Sequence, residues 1–210
     1  MKVLSILVLS AFLIAGCTVF GSENTPKTPY KTLKTSSDSK IEVREYNNLI
    51  LASTPMEEGR NGSFMRLFDY ISGDNEGKSN IEMTAPVFMD HPKEAAQKGE
   101  KIEMTAPVFM DSNAQNPTMS FVLPDRYTLD TAPWPTNEAV KLQKLDNYKV
   151  AVIRFNGRLS DDNIQKNRAM LEQWIEDNNY KVAGPYKTAG YDAPFTLPAI
   201  RRNEVLIPIK

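Results

Sequence analysis

Four methionines stand in two identical settings: Met83 and Met89 in IEMTAPVFMD at 81–90, and Met104 and Met110 in the same ten letters at 102–111. Thioethers are soft donors suited to Cu(I), and two M-x5-M pairs brought together could surround one ion. The neighbouring letters point elsewhere. Each methionine falls where period-two alternation already asks for an apolar residue, and methionine fills irregular apolar space well. No metal site is expected. The repeat also doubles an acid, Glu82 and Glu103, and like charges on adjacent strands would raise one pKa toward general-acid range. Two carboxylates on the solvent side of a strand are the plainer reading. Nucleophilic catalysis needs a serine or thiol beside a base. The chain has one histidine, His91, and one cysteine, Cys17, and its serines fall at expected caps and turns. No catalytic residue is assigned, and the chain reads as a binding protein rather than an enzyme.

Cys17 has chemistry of another kind. After Lys2 the run VLSILVLSAFLI is too short to cross a bilayer as a permanent helix and reads as a signal peptide. It ends in Leu13, Ile14, Ala15, Gly16 and Cys17, small residues before a thiol, the order of a bacterial lipobox. Residues 1–16 are then removed and Cys17 carries the lipid. Each buried CH₂ of such an anchor contributes about 0.8 kcal/mol, so more than one acyl chain, palmitate for example, holds a protein stably on a membrane. Thr18 is not the aspartate that retains a lipoprotein at the inner membrane. In a Gram-negative cell the expected location is the periplasmic face of the outer membrane. With its thiol acylated the chain has no disulfide. Its 25 basic and 26 acidic side chains give no field for nucleic acid.

Positioning elements follow. Residues 18–37 are rich in Thr, Ser, Lys and Pro and read, with Cys17, as a flexible lipidated tether (17–37). Residues 38–210 make one domain. Ile41, Val43 and Glu45 alternate toward Asn47-Asn48, after which LILAS resumes, predicting a hairpin. A helix follows, capped by Asn61 or Ser63, with Phe64, Leu67, Phe68 and Ile71 on one face and Gly73 as its stop. The pattern returns with Val140, Leu142 and Leu145, a turn at Asp146-Asn147, the strand YKVAVIRF, and a helix opened by Ser160 with Asp161 and Asp162 in its first turn. Two strand-strand-helix-strand units in one sheet system predict an α+β fold. Each decapeptide reads as a strand with one apolar side, its proline needing an edge or bulge, and HPKEAAQKGEK between the copies reads as a loop.

RLFDYISGDNEG at 66–77 followed by IEMTAPV, then MSFVLPDRY at 119–127, YKTAGYDAP at 186–194 and RRNEVLIPI at 201–209 together resemble the SOUL heme-binding protein family, in order over nearly all of 38–210. The resemblance implies a distorted antiparallel β-barrel built from two related halves with two helices outside, and a shallow apolar groove for heme or another tetrapyrrole. Phe64, Phe68, Met83 and Met104 are the apolar residues expected near that groove; from the chemistry heme needs, Tyr191 and His91, the latter in the loop between the repeats, are candidate axial ligands and Arg201 a candidate partner for a propionate. Contact is then mainly apolar, and heme is not required for folding. The family carries M-T-A-P-V once, directly after the first helix. Met83 to Val87 is therefore expected to take that place, with residues 91–111 as an added hairpin. A small-molecule hydrolase and a structural envelope lipoprotein are the alternative readings of the same fold. The expected partners are the tetrapyrrole and the membrane, with oligomeric state left open.

Overall fold

Two fifteen-residue strands carry the architecture, and both come from the segments whose alternation is best. In chain order the elements are β1 (Lys31–Thr35), β2 (Ile41–Pro55), α1 (Gly59–Ser72), β3 (Asn75–Glu76), β4 (Val108–Asp111), β5 (Thr118–Val122), β6 (Trp134–Pro135), β7 (Lys141–Phe155), α2 (Asp161–Asp177), β8 (Lys187–Gly190), a 3-10 turn (Pro198–Ile200) and β9 (Asn203–Pro208). The computed structural model describes residues 27–77, 99–111, 116–192 and 196–210.

β2 and β7 pair antiparallel from Ile41 opposite Ile153 to Ser53 opposite Lys141. The turns expected at Asn47-Asn48 and Asp146-Asn147 are absent; each predicted strand pair is one continuous strand. What changes at the asparagines is the face. Before them Val43 packs toward α2 and Tyr46 into the barrel; after them Ile50 packs toward α1 and Leu49 and Leu51 turn inward. Asn147 absorbs part of the shift with φ 47°, a left-handed conformation that asparagine tolerates better than most residues.

Around the barrel the order is β2, β5, β4, β8, β9, β7, and β7 closes on β2. All six contacts are antiparallel, and closure removes the unpaired edges an open sheet would expose. The order is unchanged when β2, β5 and β4 are exchanged with β7, β9 and β8, so the two related halves are present as a local twofold. Each helix packs outside on the long strand that precedes it. The α+β barrel with two outer helices is thus the observed fold.

The core has three parts. Leu67, Tyr70 and Ile71 of α1 pack with Ile50, Met119 and Phe121. Ile164, Leu171 and Ile175 of α2 pack with Ile153, Val205 and Ile207. Tyr46, Leu49, Phe109, Val150, Val152 and Leu206 fill the barrel. Full burial of each such aliphatic side chain contributes about 1.5–3 kcal/mol.

Three local expectations change. Ser63 lies inside α1, and its hydroxyl donates to the carbonyls of Pro55 (3.0 Å) and Gly59 (2.9 Å) instead of capping the helix. Phe68 leaves the core face, and Tyr70 is buried instead, donating to Pro133 O at 2.9 Å. Residues 31–35 are not tether: β1 pairs with Glu42–Glu45 of β2, and Lys34 Nζ lies 5.6 Å over the Trp174 ring. Its five side chains are all exposed, so backbone pairing to a strand edge orders it without a hydrophobic face.

The repeat also resolves differently. The second copy, expected as an added hairpin, supplies β4 in the barrel wall; the first copy lies outside the described residues. Only Val108–Asp111 of the second copy is strand, and both of its sides are buried, Met110 beneath α1 and Phe109 in the barrel. The residues before it explain the choice. Asn75 Nδ2 donates to Glu100 O (2.8 Å), Glu100 N donates to Asn75 Oδ1 (2.9 Å), and Ile102 N donates to Ile71 O (2.7 Å). A Cβ at Gly99 would lie 1.7 Å from Gly73 O, so that approach needs glycine. Twenty-one positions earlier the chain has Lys78.

Candidate ligand-binding site

The outer side of α1 is an apolar surface that the described residues leave uncovered. Phe68 lies four residues from Phe64 and three from Met65, so it neighbours both on the helix surface. Phe64 is half-buried, its ring edge-on to Phe121 at 5.3 Å, and Phe68 stacks on Phe64 at 6.2 Å with an interplanar angle of 14°. Met65 is 51 % and Phe68 41 % exposed. Met104 packs, half-buried, against the core beneath α1. Phe64 and Met104 thus both pack against the part of the core that includes α1, and Phe68 joins it through Phe64.

That region continues past the start of α1. Arg60 Nη1 donates to Leu159 O at 3.5 Å. The same 156–159 segment holds the 3-10 turn, through Gly157 N to Pro198 O (2.8 Å) and Asn156 Nδ2 to Ala199 O (2.8 Å). Leu197 and Ile200 of that turn are exposed. Arg66 is engaged locally, with Glu58 at 2.9 Å and Thr54 Oγ1 at 2.9 Å.

Tyr191 lies elsewhere, while Arg201 directly follows the 3-10 turn, its backbone N–H donating to Pro198 O at 3.2 Å. The Tyr191 hydroxyl donates to Glu204 Oε2 at 2.7 Å, and Arg201 Nε donates to Thr196 O at 2.7 Å. Tyr191 belongs to a buried ionic cluster. Arg44 meets both oxygens of Glu204, Nη1 to Oε2 at 2.8 Å and Nη2 to Oε1 at 3.1 Å. Arg202 adds Nε and Nη2 to Oε1 at 3.0 and 2.7 Å. Burial alone would raise the Glu204 carboxyl, but the Arg44 hydrogen bonds and charge, joined by Arg202 and Tyr191, hold it below the ordinary carboxylate range. Burial opposes the Arg44 charge as well, and Glu204 more than offsets it. Burial, then the Glu204 charge, pushes the Tyr191 phenol well up, so this hydroxyl stays protonated and committed to the carboxylate.

Of the remaining chemical candidates, Cys17, Glu82, Met83, Met89 and His91 lie outside the described residues. Glu103 is exposed and pairs with Arg126 at 3.1 Å. Among the described residues no three His, Cys, Asp or Glu side chains are gathered for a metal ion. A cleft of about 530 Å³ lies between Lys27–Lys31, the middle of β2 and Pro124–Arg126. None of the predicted binding residues that are described lines it. Lys27, Lys31 and Arg126 are balanced there by Glu45, Glu103 and Asp125. Met65 and the Arg44–Glu204 pair are the features that sequence reasoning missed.

Comparison with known proteins gives the following. The family model of the SOUL heme-binding protein matches residues 25–98 and 92–208, two segments that each contain one copy of the decapeptide. Heme-binding protein 1 of Xenopus laevis is 25 % identical over 173 residues, covering 79 % of this chain and 81 % of its own. Heme-binding protein 1 of Mus musculus is 24 % identical over 196 residues, covering 89 % of this chain and 93 % of its own. The crystal structure of the EcmrR C-terminal domain aligns with a TM-score of 0.54 at 13 % identity, over 86 % of this chain and 98 % of that one. A hydrolase from Listeria innocua aligns with a TM-score of 0.50 at 12 % identity, over 89 % and 94 %. Both structural likenesses concern the fold alone.

Proposed function

The chain belongs to the SOUL heme-binding protein family, and on that premise we propose that it binds heme or a similar tetrapyrrole on the α1 surface while a lipid on Cys17 anchors it in the cell envelope. The observation that carries the ligand reading is the exposed stripe of Phe64, Met65 and Phe68. Stacked aromatic faces and a polarisable thioether suit a flat apolar macrocycle. Met104 would support the stripe from below, and Leu197 and Ile200 would extend it across the 156–159 segment. Tyr191, tied to Glu204, does not suit axial ligation. Binding then rests on apolar area, at about 25 cal/mol per Å² less the cost of association.

Titrating the purified protein with hemin should give a saturable Soret shift at one equivalent. Phe68→Glu should weaken it about tenfold or more, by placing a charge against apolar ligand surface, with a smaller effect on folding stability because the side chain lies at the surface, 41 % exposed. Equal titrations for wild type and variant would sink the α1 assignment. Binding rather than hydrolysis is the activity this reading supports.

The anchor is supported by the lipobox order before Cys17 and by Thr18, which favours the outer membrane in a Gram-negative cell. No helix among the described residues is long and apolar enough to cross a membrane. Cys17→Ser should shift the protein out of the detergent-extracted membrane pellet and abolish incorporation of labelled palmitate. Retention in the pellet would exclude lipid as the tether.

A further inference from the structure

A second surface has charge at one end and apolar side chains at the other. A cleft of about 480 Å³ opens where the Ser39-Lys40 turn, the end of β7 and the first half of α2 meet. Lys40, Arg154 and Lys166 line it, and no aspartate or glutamate does. Among the described residues Arg154 and Lys166 have no carboxylate partner, and Lys40 has only the exposed Asp38 at 3.7 Å. Asn163 and Asn167 commit amide N–H groups to Arg158 O (2.9 Å) and Asn163 O (2.7 Å). The uncommitted donors are therefore chiefly Arg154 and Lys166, with Lys40 held only by its exposed contact to Asp38.

Met170, 46 % exposed, lines this cleft and also an adjoining one of about 500 Å³ formed with Ile41, Ala169, Gln173, Trp174 and Asp177. Lys166, Met170 and Trp174 follow one another at one-turn spacing on α2. Cations thus give way to an apolar strip that runs roughly 16 Å from Lys166 to Asp177 at about 1.5 Å per residue. At the far end the Asp177 carboxylate is accompanied by Lys34, whose Nζ lies 5.6 Å over the Trp174 ring, so the excess of positive charge lies at the Lys40, Arg154 and Lys166 end.

We propose that this track binds a monomeric anionic amphiphile of the medium-chain fatty-acid class, its carboxylate among Lys40, Arg154 and Lys166 and its acyl chain along Ile41, Ala169, Met170 and Trp174. The assignment uses no residue of the α1 surface and stands apart from the tetrapyrrole reading.

The purified protein is titrated with laurate, dodecanol and inorganic phosphate, following Trp174 fluorescence against a Trp174→Phe control that keeps Trp134. Laurate should change the signal saturably at one equivalent. Dodecanol should bind about tenfold more weakly, since it cannot accept charge-assisted hydrogen bonds as a carboxylate does, and phosphate more weakly still for want of a tail. The double variant Arg154→Gln/Lys166→Gln, both positions exposed, should lose about tenfold in laurate affinity with dodecanol unchanged, and Met170→Asp should weaken both. Equal binding of laurate and dodecanol overturns the proposal, as does an unchanged double variant. Binding to vesicles of anionic phospholipid without binding of monomeric laurate does so too. Hemin binding should survive in the double variant; its loss would merge this track with the tetrapyrrole surface and overturn the separate assignment.

Discussion

Glu204→Gln should lower folding stability by about 3–5 kcal/mol, the cost of leaving a buried charge without its partner. Glu204 is fully buried and Arg44 is 2 % exposed. Its Oε2 accepts from Arg44 and Tyr191, and its Oε1 from Arg44 and Arg202. Whichever oxygen becomes the amide NH₂, that group faces at least two donors and can accept from none of them. Glu42 meets Arg44 Nε at 2.7 Å but is itself half-exposed and cannot replace the lost charge. Urea midpoints for wild type and variant measure the loss. A difference under about 1 kcal/mol would mean that water reaches the pair.

The same carboxylate gives a sign to the pH dependence. Its folded pKa lies below the ordinary value, whereas in the unfolded chain it titrates at about 4.3. The unfolded state therefore takes up the proton first as pH falls, and stability present above about 4.3 drains away as pH drops toward the folded value. Glu204→Gln has no such proton to gain. The gap between wild type and variant should be widest near neutrality and narrow below about pH 4, measured by denaturant midpoints across pH 7 to 3.

This cluster also shows where the sequence stops being readable. In IEVREY the residues Ile41 and Val43 mark one face correctly, and they pack toward α2. Arg44 and Tyr46 occupy the other phase, which alternation reads as solvent; closing the sheet turns that phase into the barrel interior. Period two separates the faces of a strand without saying what each face meets. The asparagine pairs misled for a related reason. Asn47-Asn48 and Asp146-Asn147 have turn chemistry, yet the two segments pair with each other across the twofold, and the long ladder holds the backbone extended. Helix α2 was legible because its cap position, acidic first turn and apolar stripe agree. Phe68 was not, since a stripe three residues wide does not reveal which edge the sheet covers. Of the six predicted binding residues, Phe64 and Phe68 stack on each other on α1, and Met104 of the decapeptide packs against the same part of the core as Phe64. Tyr191 and Arg201 lie in motifs as distinctive as theirs, but those motifs build the ionic cluster and the turn before β9.

Phe109→Ala should cost about 3–5 kcal/mol, the usual loss for a buried aromatic in a closed core, whereas Phe88→Ala, in the same ten-letter setting, should cost less than about 1 kcal/mol. Phe109 is buried in the barrel among Tyr46, Leu49, Val122, Val152 and Leu206. The wall has one opening between β5 and β8, and β4 fills it with Val108 opposite Phe121 on one side and Gly190 on the other. Identical decapeptides compete for that opening on equal terms, so their flanks must decide. Before the second copy, Gly99 permits the approach to Gly73, Asn75 bonds the Glu100 backbone, and the Tyr127 hydroxyl donates to Glu100 Oε1 at 2.6 Å. The corresponding residues before the first copy are Lys78 and Ser79, where a side chain would strike the Gly73 carbonyl and the Tyr127 bond has no carboxylate. Denaturation of the two single variants tests this selection directly. Comparable losses from both would show the copies sharing the opening, and the flanking contacts would then be too weak to choose between them.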